Sequence, residues 1–171
     1  MPQESPQSLE NQACVYALKL LAHTPRSRQV ISERLARKGF EPSVAEAALQ
    51  RLERLGAIND RAVADSILFR YGSARPSGRR RIEFEMKKRG IPAEISKAAL
   101  ENFSGQLELE GACELASRRV ERMKHLNPQK RQKKIYDFLL RRGFSLSVAR
   151  EAMAAAAVRL EAEDEEINED R

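Results

Sequence analysis

Apolar residues return along this chain at helical intervals, and the same arrangement is written three times. The segments "ISERLARKGFEPSVAEAALQRL", "IEFEMKKRGIPAEISKAALENF" and "IYDFLLRRGFSLSVAREAMAAA" align without gaps on Gly39, Gly90 and Gly143. Ile31, Ile82 and Ile135 stand at one position ahead of the glycine, and Leu35, Met86 and Leu139 follow one helical turn later. Phe40, Ile91 and Phe144 come immediately after it, then Val44, Ile95 and Val148, then Ala48, Ala99 and Ala152, then Leu49, Leu100 and Met153. Apolar pairs at i, i+4 give the first helix of each pair one stripe to bury, and the spacing beyond the glycine gives the second helix another.

Each glycine suits the left-handed position that ends a helix, and the basic pairs Arg37–Lys38, Lys88–Arg89 and Arg141–Arg142 before it favour the negative helix end. Pro42 and Pro92 fit the first turn of the next helix, and Ser145 fits the cap of the third copy. Another helical stretch precedes each pair: "NQACVYALKLLA", "DRAVADSILFRY" and "LELEGACELASRRVERMKHL". Pro25, Pro76 and Pro128 punctuate these junctions, while Gly111 inside the third stretch marks a late start of that helix. The pattern predicts an all-α protein of three tandem three-helix repeats, stacked into an elongated, curved helical array. The expected boundaries are a disordered N terminus over 1–10, repeats over 11–58, 59–104 and 105–160, and an acidic disordered tail over 161–171.

Composition supports helices: only 5% of the 171 residues are aromatic and there is no Trp, which disfavours a β-sandwich. The net charge of +6 conceals an asymmetry. Residues 161–171 hold seven acids and one arginine, so residues 1–160 carry +12. A body this basic points to a polyanionic partner, whether nucleic acid or an acidic protein surface. The acidic tail either folds back over that body in competition with DNA or serves solubility. Cys14 and Cys113 stand alone, with no metal-ligand spacing, and are expected as small buried hydrophobes. His23 and His125 fall near helix ends without a nucleophile beside them, and there is no phosphate-binding glycine loop and no HExxH. No enzyme, cofactor or metal site is expected. No run approaches the roughly 18 apolar residues of a membrane span, and "MPQESPQSLENQ" lacks the layout of an export signal. The expectation is a cytoplasmic monomer without membrane contact.

Two segments, together with the triplicated pattern, resemble the RecX family of RecA regulators, over roughly residues 13–157. In "GAINDRAVADSI", Gly56, Ile58, Asn59, Asp60 and Ala64 match the family pattern, while Ala57 and Val63 replace its usual aromatics. In "GRRRIEFEMKKRGI", Gly78, Arg81, Ile82, Glu85, Gly90 and Ile91 match; Arg79 replaces a common proline and Met86 a common leucine. Gly56, Asn59 and Asp60 also read as a helix stop and N-caps. The resemblance implies a non-enzymatic modulator that lies in the groove of the RecA filament on single-stranded DNA. It further implies inhibition of RecA ATP hydrolysis, strand exchange and filament growth.

Candidate contact residues follow from the helical wheel. In the second repeat Ile82 and Met86 define the buried side, and Arg80, Arg81, Phe84, Lys87 and Lys88 project away from it. An outward aromatic among cations can stack on a base while its neighbours track phosphates. The alternatives are that Phe84 packs on an adjoining repeat and that the cations form a solvated surface. The equivalent outward positions are Gln29, Val30, Ala36 and Arg37 in the first repeat and Lys133, Lys134, Leu140 and Arg141 in the third, where Lys130 and Arg131 add charge. The RecA/DNA-binding set is therefore expected on the second and third repeats, with free DNA as a further partner. A stand-alone DNA-binding protein is the rival, although the second helices of the pairs are mainly acidic or apolar and offer few donors to a major groove.

Overall fold

A computed structural model describes the backbone of residues 5–169 and the side chains of residues 5–157. Among the described residues it contains nine α-helices and no strand. They are α1 (Pro6–His23), α2 (Arg28–Lys38), α3 (Pro42–Arg54), α4 (Asp60–Leu68), α5 (Arg79–Lys88), α6 (Ala93–Leu100), α7 (Gly105–Arg122), α8 (Pro128–Arg141) and α9 (Leu146–Glu169). The all-α expectation holds, with three helices to each repeat. A π-helical segment, Phe69–Ala74, follows α4 where the pattern gave no warning. No described helix is long and apolar enough to cross a membrane.

Two boundaries differ from expectation. Helix α1 begins inside the stretch read as disordered, because Ser5 accepts a hydrogen bond from the Ser8 N–H (3.2 Å) and Pro6 occupies the first helical position. The backbone of α9 is helical to Glu169, through most of the stretch read as a disordered tail, in keeping with the strong helix propensity of Ala and Glu. Residues 1–4, 170 and 171 lie outside the described residues, as do side chains beyond Ala157.

The helix stops repeat atom for atom. The N–H groups of Phe40, Ile91 and Phe144 donate to the carbonyls of Leu35, Met86 and Leu139 at 3.1–3.2 Å, and those of Gly39, Gly90 and Gly143 donate to Ala36, Lys87 and Leu140 at 2.9–3.0 Å. This double bond pattern satisfies carbonyls that the helix end leaves orphaned, and it requires the left-handed backbone these glycines adopt.

The chain packs as two compact units, Met1–Ser66 with Met86–Ala99, and Ile67–Glu85 with Leu100–Arg171. In the first, Ala13, Cys14 and Ala17 of α1 meet Ile31 and Leu35 of α2 and Ala48, Leu49 and Leu52 of α3. In the second, Ala112, Ala116 and Val120 of α7 meet Ile135 and Leu139 of α8 and Ala149, Ala152 and Ala156 of α9, with Phe144 closing one end. Alanines on the first and third helices of each set let backbones approach closely, and the branched residues of the middle helix fill the seam. The isoleucine and Leu/Met positions of the repeat are fully buried in all three copies, whereas Phe40, Val44, Ile95, Val148 and Met153 are half-buried. Cys14 is buried as expected and Cys113 half-buried; burial raises the pKa of both thiols.

Within each unit one joint recurs. In the first, the Ser27 hydroxyl, at the start of α2, donates to the Arg89 carbonyl (2.6 Å), and the Arg28 N–H donates to Asp60 Oδ1 (2.8 Å). In the second, the Gly78 N–H, at the start of α5, donates to the Arg142 carbonyl (3.0 Å), and the Arg79 N–H donates to Glu108 Oε1 (2.9 Å). Ser27 and Gly78 are equivalent in the repeat, as are Arg89 and Arg142. The start of one repeat's middle helix thus sits on the glycine turn of the next repeat, and an acid from the next leading helix receives its free N–H. Gly111 belongs to this close packing: it lies inside α7, not at its start, and a Cβ there would come 2.9 Å from Pro76 Cβ.

Candidate nucleic-acid interface

Helix α5 divides its three consecutive arginines among three tasks. Arg79, half-exposed, lies against the end of α6, where Nη1 donates to the carbonyls of Leu100 and Phe103 (3.3 Å each), and Nε pairs with Glu83 (3.4 Å). A cation on orphaned helix-end carbonyls is a structural use. Arg81 reaches Glu85 (2.6 Å), whose carboxylate is buried, and its guanidinium carbon lies 5.6 Å from the centre of the Phe84 ring. Arg80 is exposed and makes no hydrogen bond or ion pair among the described residues.

Phe84 is 55% exposed, too open for the covered packing position that large apolar side chains usually take. Lys87 and Lys88, on the last turn of α5, are exposed. The candidate residues on this helix therefore all reach solvent, with Arg81 already engaged by Glu85.

On α8, Lys130, Lys133, Lys134 and Arg141 are exposed and Arg131 is half-buried. At about 100° per residue, Lys130, Lys134 and Arg141 fall within about 40° of one another, so they form a stripe down one side of the helix. Lys133 looks instead into a cleft of about 430 Å³ between α8 and α9, lined also by Gln129, Gln132, Tyr136, Arg150 and Met153. Two cations and a phenol ring around a partly apolar cleft suit a planar, negatively charged guest.

Between the starts of α5 and α9 lies a group of arginines that sequence reasoning did not single out. A Cβ on Gly143 would stand 2.6 Å from the Arg81 N and Cβ, and one on Gly78 would overlap the Gly143 carbonyl, so the two backbones touch here. That approach brings Arg81 within electrostatic reach of Arg142. Arg119 of α7 stacks on Phe138 of α8 with its guanidinium carbon 3.8 Å from the ring centre, and Arg142 stands 5.7 Å from the same ring. The Arg142 Nε is buried without a hydrogen-bond partner. Burial first, and then the charges of Arg75, Arg81 and Arg119, push its pKa below the usual arginine range. The i, i+4 spacing of Phe138 and Arg142 was a legible signal; Arg75 and Arg119 carried none, because neither belongs to the aligned segments.

The chain matches the model of the first RecX three-helix domain over residues 13–52 and that of the third over residues 106–153. It is 30% identical to the "Regulatory protein RecX" of Chlorobium limicola over 144 residues, covering 84% of this chain and 89% of that protein. It is 31% identical to its Streptomyces coelicolor counterpart over 162 residues, covering 95% of this chain and 84% of that protein. In fold it is similar to the crystal structure of RecX from Lactobacillus salivarius, with a TM-score of 0.80 at 23% identity over 88% of this chain and 97% of that one. Two matched three-helix domains and relatives aligned over most of their length place this chain in the RecX family of regulatory proteins.

Proposed function

We propose that this protein regulates homologous recombination by binding RecA filaments on single-stranded DNA, inhibiting RecA ATP hydrolysis, strand exchange and filament extension. The observation that carries the reading is the gathering on two helices, α5 and α8, of seven exposed cations without an acidic partner among the described residues. These are Arg80, Lys87 and Lys88 on α5 and Lys130, Lys133, Lys134 and Arg141 on α8. Some exposed cations elsewhere are instead held by neighbouring carboxylates, as in the Arg37–Glu33, Arg61–Asp65 and Arg118–Glu114 pairs. Unpaired cations keep their charge available for phosphates, which dominate affinity for nucleic acid. Phe84 adds an open ring on which a base or a partner side chain stacks, and Arg131 supports the α8 stripe. The protein acts as a monomer, by occupancy and without covalent chemistry.

The test is a titration into RecA, ATP and single-stranded DNA that follows hydrolysis and filament length together. The variant Arg80→Glu/Lys87→Glu/Lys88→Glu spares the Arg81–Glu85 pair, so it keeps its helicity while losing inhibition. A folded triple variant that inhibits like the parent removes α5 from the interface. Sequence-preferring DNA binding by the parent, with RecA activity untouched, overturns the RecA reading altogether.

A further inference from the structure

We infer that the arginines gathered on Phe138, namely Arg119 and Arg142 with Arg75 and Arg81 beside them, form a binding site for a backbone phosphate of single-stranded nucleic acid. The inference goes beyond the exposed stripes on α5 and α8, and it rests on the reading of this protein as one that meets single-stranded DNA.

The charge balance comes first. Arg75, Arg81 and Arg119 all lie within electrostatic reach of Arg142, and Glu85 pairs with Arg81 alone. Among the described residues no acid pairs with Arg75, Arg119 or Arg142. Like charges gathered at a partly buried point raise one another's energy unless a counter-charge joins them. The second observation is the orphaned Arg142 Nε, a donor that cannot be relieved by deprotonation, because arginine stays charged at any ordinary pH. A buried donor without an acceptor costs free energy, and an oxyanion bound by the Arg142 guanidinium removes that cost by drawing the side chain outward until Nε reaches it.

Geometry selects phosphate over carboxylate. A carboxylate offers two oxygens in one plane and is matched by a single guanidinium fork, whereas a phosphate presents tetrahedrally placed oxygens to several forks at once. The site is also held still. Arg119 and Arg142 are braced on one ring, and Arg81 is fixed by Glu85 and by the contact of Gly143 with its backbone. Because Arg119 covers a face of Phe138, that face takes no base. The site therefore reads the strand's charge and not its sequence.

The test uses the full-length protein and fluorescein-labelled dT and dA oligonucleotides, with affinity read by anisotropy over a salt series. Arg75→Gln/Arg119→Lys keeps the Arg142 stack and removes one charge and two guanidinium forks. Its expected result is at least a several-fold loss of affinity, equal for dT and dA, with a salt slope shallower by about 0.7 for the lost contact. The second measurement follows the arginine Nε–H resonances during titration with inorganic phosphate, where Arg142 shifts saturably and Arg118, paired with Glu114 on the surface, does not.

Unchanged oligonucleotide affinity and slope in the variant overturn the site while leaving DNA binding by the protein intact. A saturable Arg142 shift with no oligonucleotide binding by the parent upholds a phosphate site and refutes the DNA reading instead. An unmoved Arg142 resonance overturns the proposal, as does displacement of the bound oligonucleotide from this site by poly-glutamate at lower charge concentration than by polyphosphate, which would mark it as a seat for an acidic protein segment.

Discussion

Placing alanine at each helix-stop glycine in turn separates two costs that share a position in the repeat. Gly39, Gly90 and Gly143 adopt φ of 94°, 69° and 85°, so every substitution carries the left-handed penalty, about 1–2 kcal/mol. Surroundings then divide them. A Cβ at Gly39 meets nothing within 4 Å, so Gly39→Ala costs that penalty alone. At Gly90 the new carbon meets Gln29 Cβ at 3.0 Å and Oε1 at 2.9 Å, a side chain that yields by rotation. At Gly143 it meets the Arg81 N and Cβ at 2.6 Å, atoms of a helix that is itself hydrogen-bonded to this turn. Overpacking against backbone adds about 1–3 kcal/mol, giving a total of about 2–5 kcal/mol for Gly143→Ala. Urea unfolding followed by far-ultraviolet circular dichroism measures the series, with a midpoint shift of about 1 M expected between Gly39→Ala and Gly143→Ala for a slope near 2 kcal/mol/M. Equal losses at the three sites, or the greatest loss at Gly39, would show that contact with the preceding repeat plays no part.

Three further outcomes follow from charges already described. Burial, the largest influence, raises the Asp60 pKa despite the Arg28 N–H it accepts, so this group's contribution is greatest below about pH 4 and declines as pH rises through the raised folded value. Asp60→Asn keeps an acceptor for Arg28 and gains stability over the parent at neutral pH; thermal melts at pH 3.5 and 7 check that the gain disappears in acid. Arg81→Ala leaves the Glu85 carboxylate buried and alone, a loss of about 1–3 kcal/mol once the 44% exposure of the Arg81 side chain is allowed for. A double-mutant cycle with Glu85→Ala should show coupling, and strict additivity would refute the pair's role. For Arg80→Glu/Lys87→Glu/Lys88→Glu, the logarithmic salt dependence of single-stranded DNA binding should flatten by about 2 units if all three cations meet phosphates, and a retained slope would place the contacts elsewhere.

The repeat, the helix stops and the buried stripes were legible because they are local. A left-handed glycine after Leu35 or Leu139 and an isoleucine two turns before it follow from spacing within one helix pair. Asn59 too could be read as a cap, and its Oδ1 accepts the Ala62 N–H at 2.9 Å. What escaped depends on residues brought together from separate segments. The run Arg79–Arg80–Arg81 looks uniform as text, yet one member serves carbonyls some twenty residues on, one a buried acid and one solvent. Gly111 looked like a helix start because its reason for being glycine is Pro76, far away in sequence. Arg75 and Arg119 were invisible for the same cause, and the π-helical segment had no compositional sign.

The recurring joint also has an orientation. At the place where a middle helix rests on the following turn, the first repeat carries a hydroxymethyl group, Ser27, and the second only a hydrogen, Gly78, while the third carries the long side chain of Arg131. Small residues allow the close joint seen twice, through a hydroxyl at Ser27 and through the backbone N–H at Gly78, and an arginine there is too long to repeat either. Shuffling the repeats so that the third preceded another would therefore fail at one atom-sized gap. The three copies look interchangeable in their apolar stripes, yet they differ in bulk at this one contact.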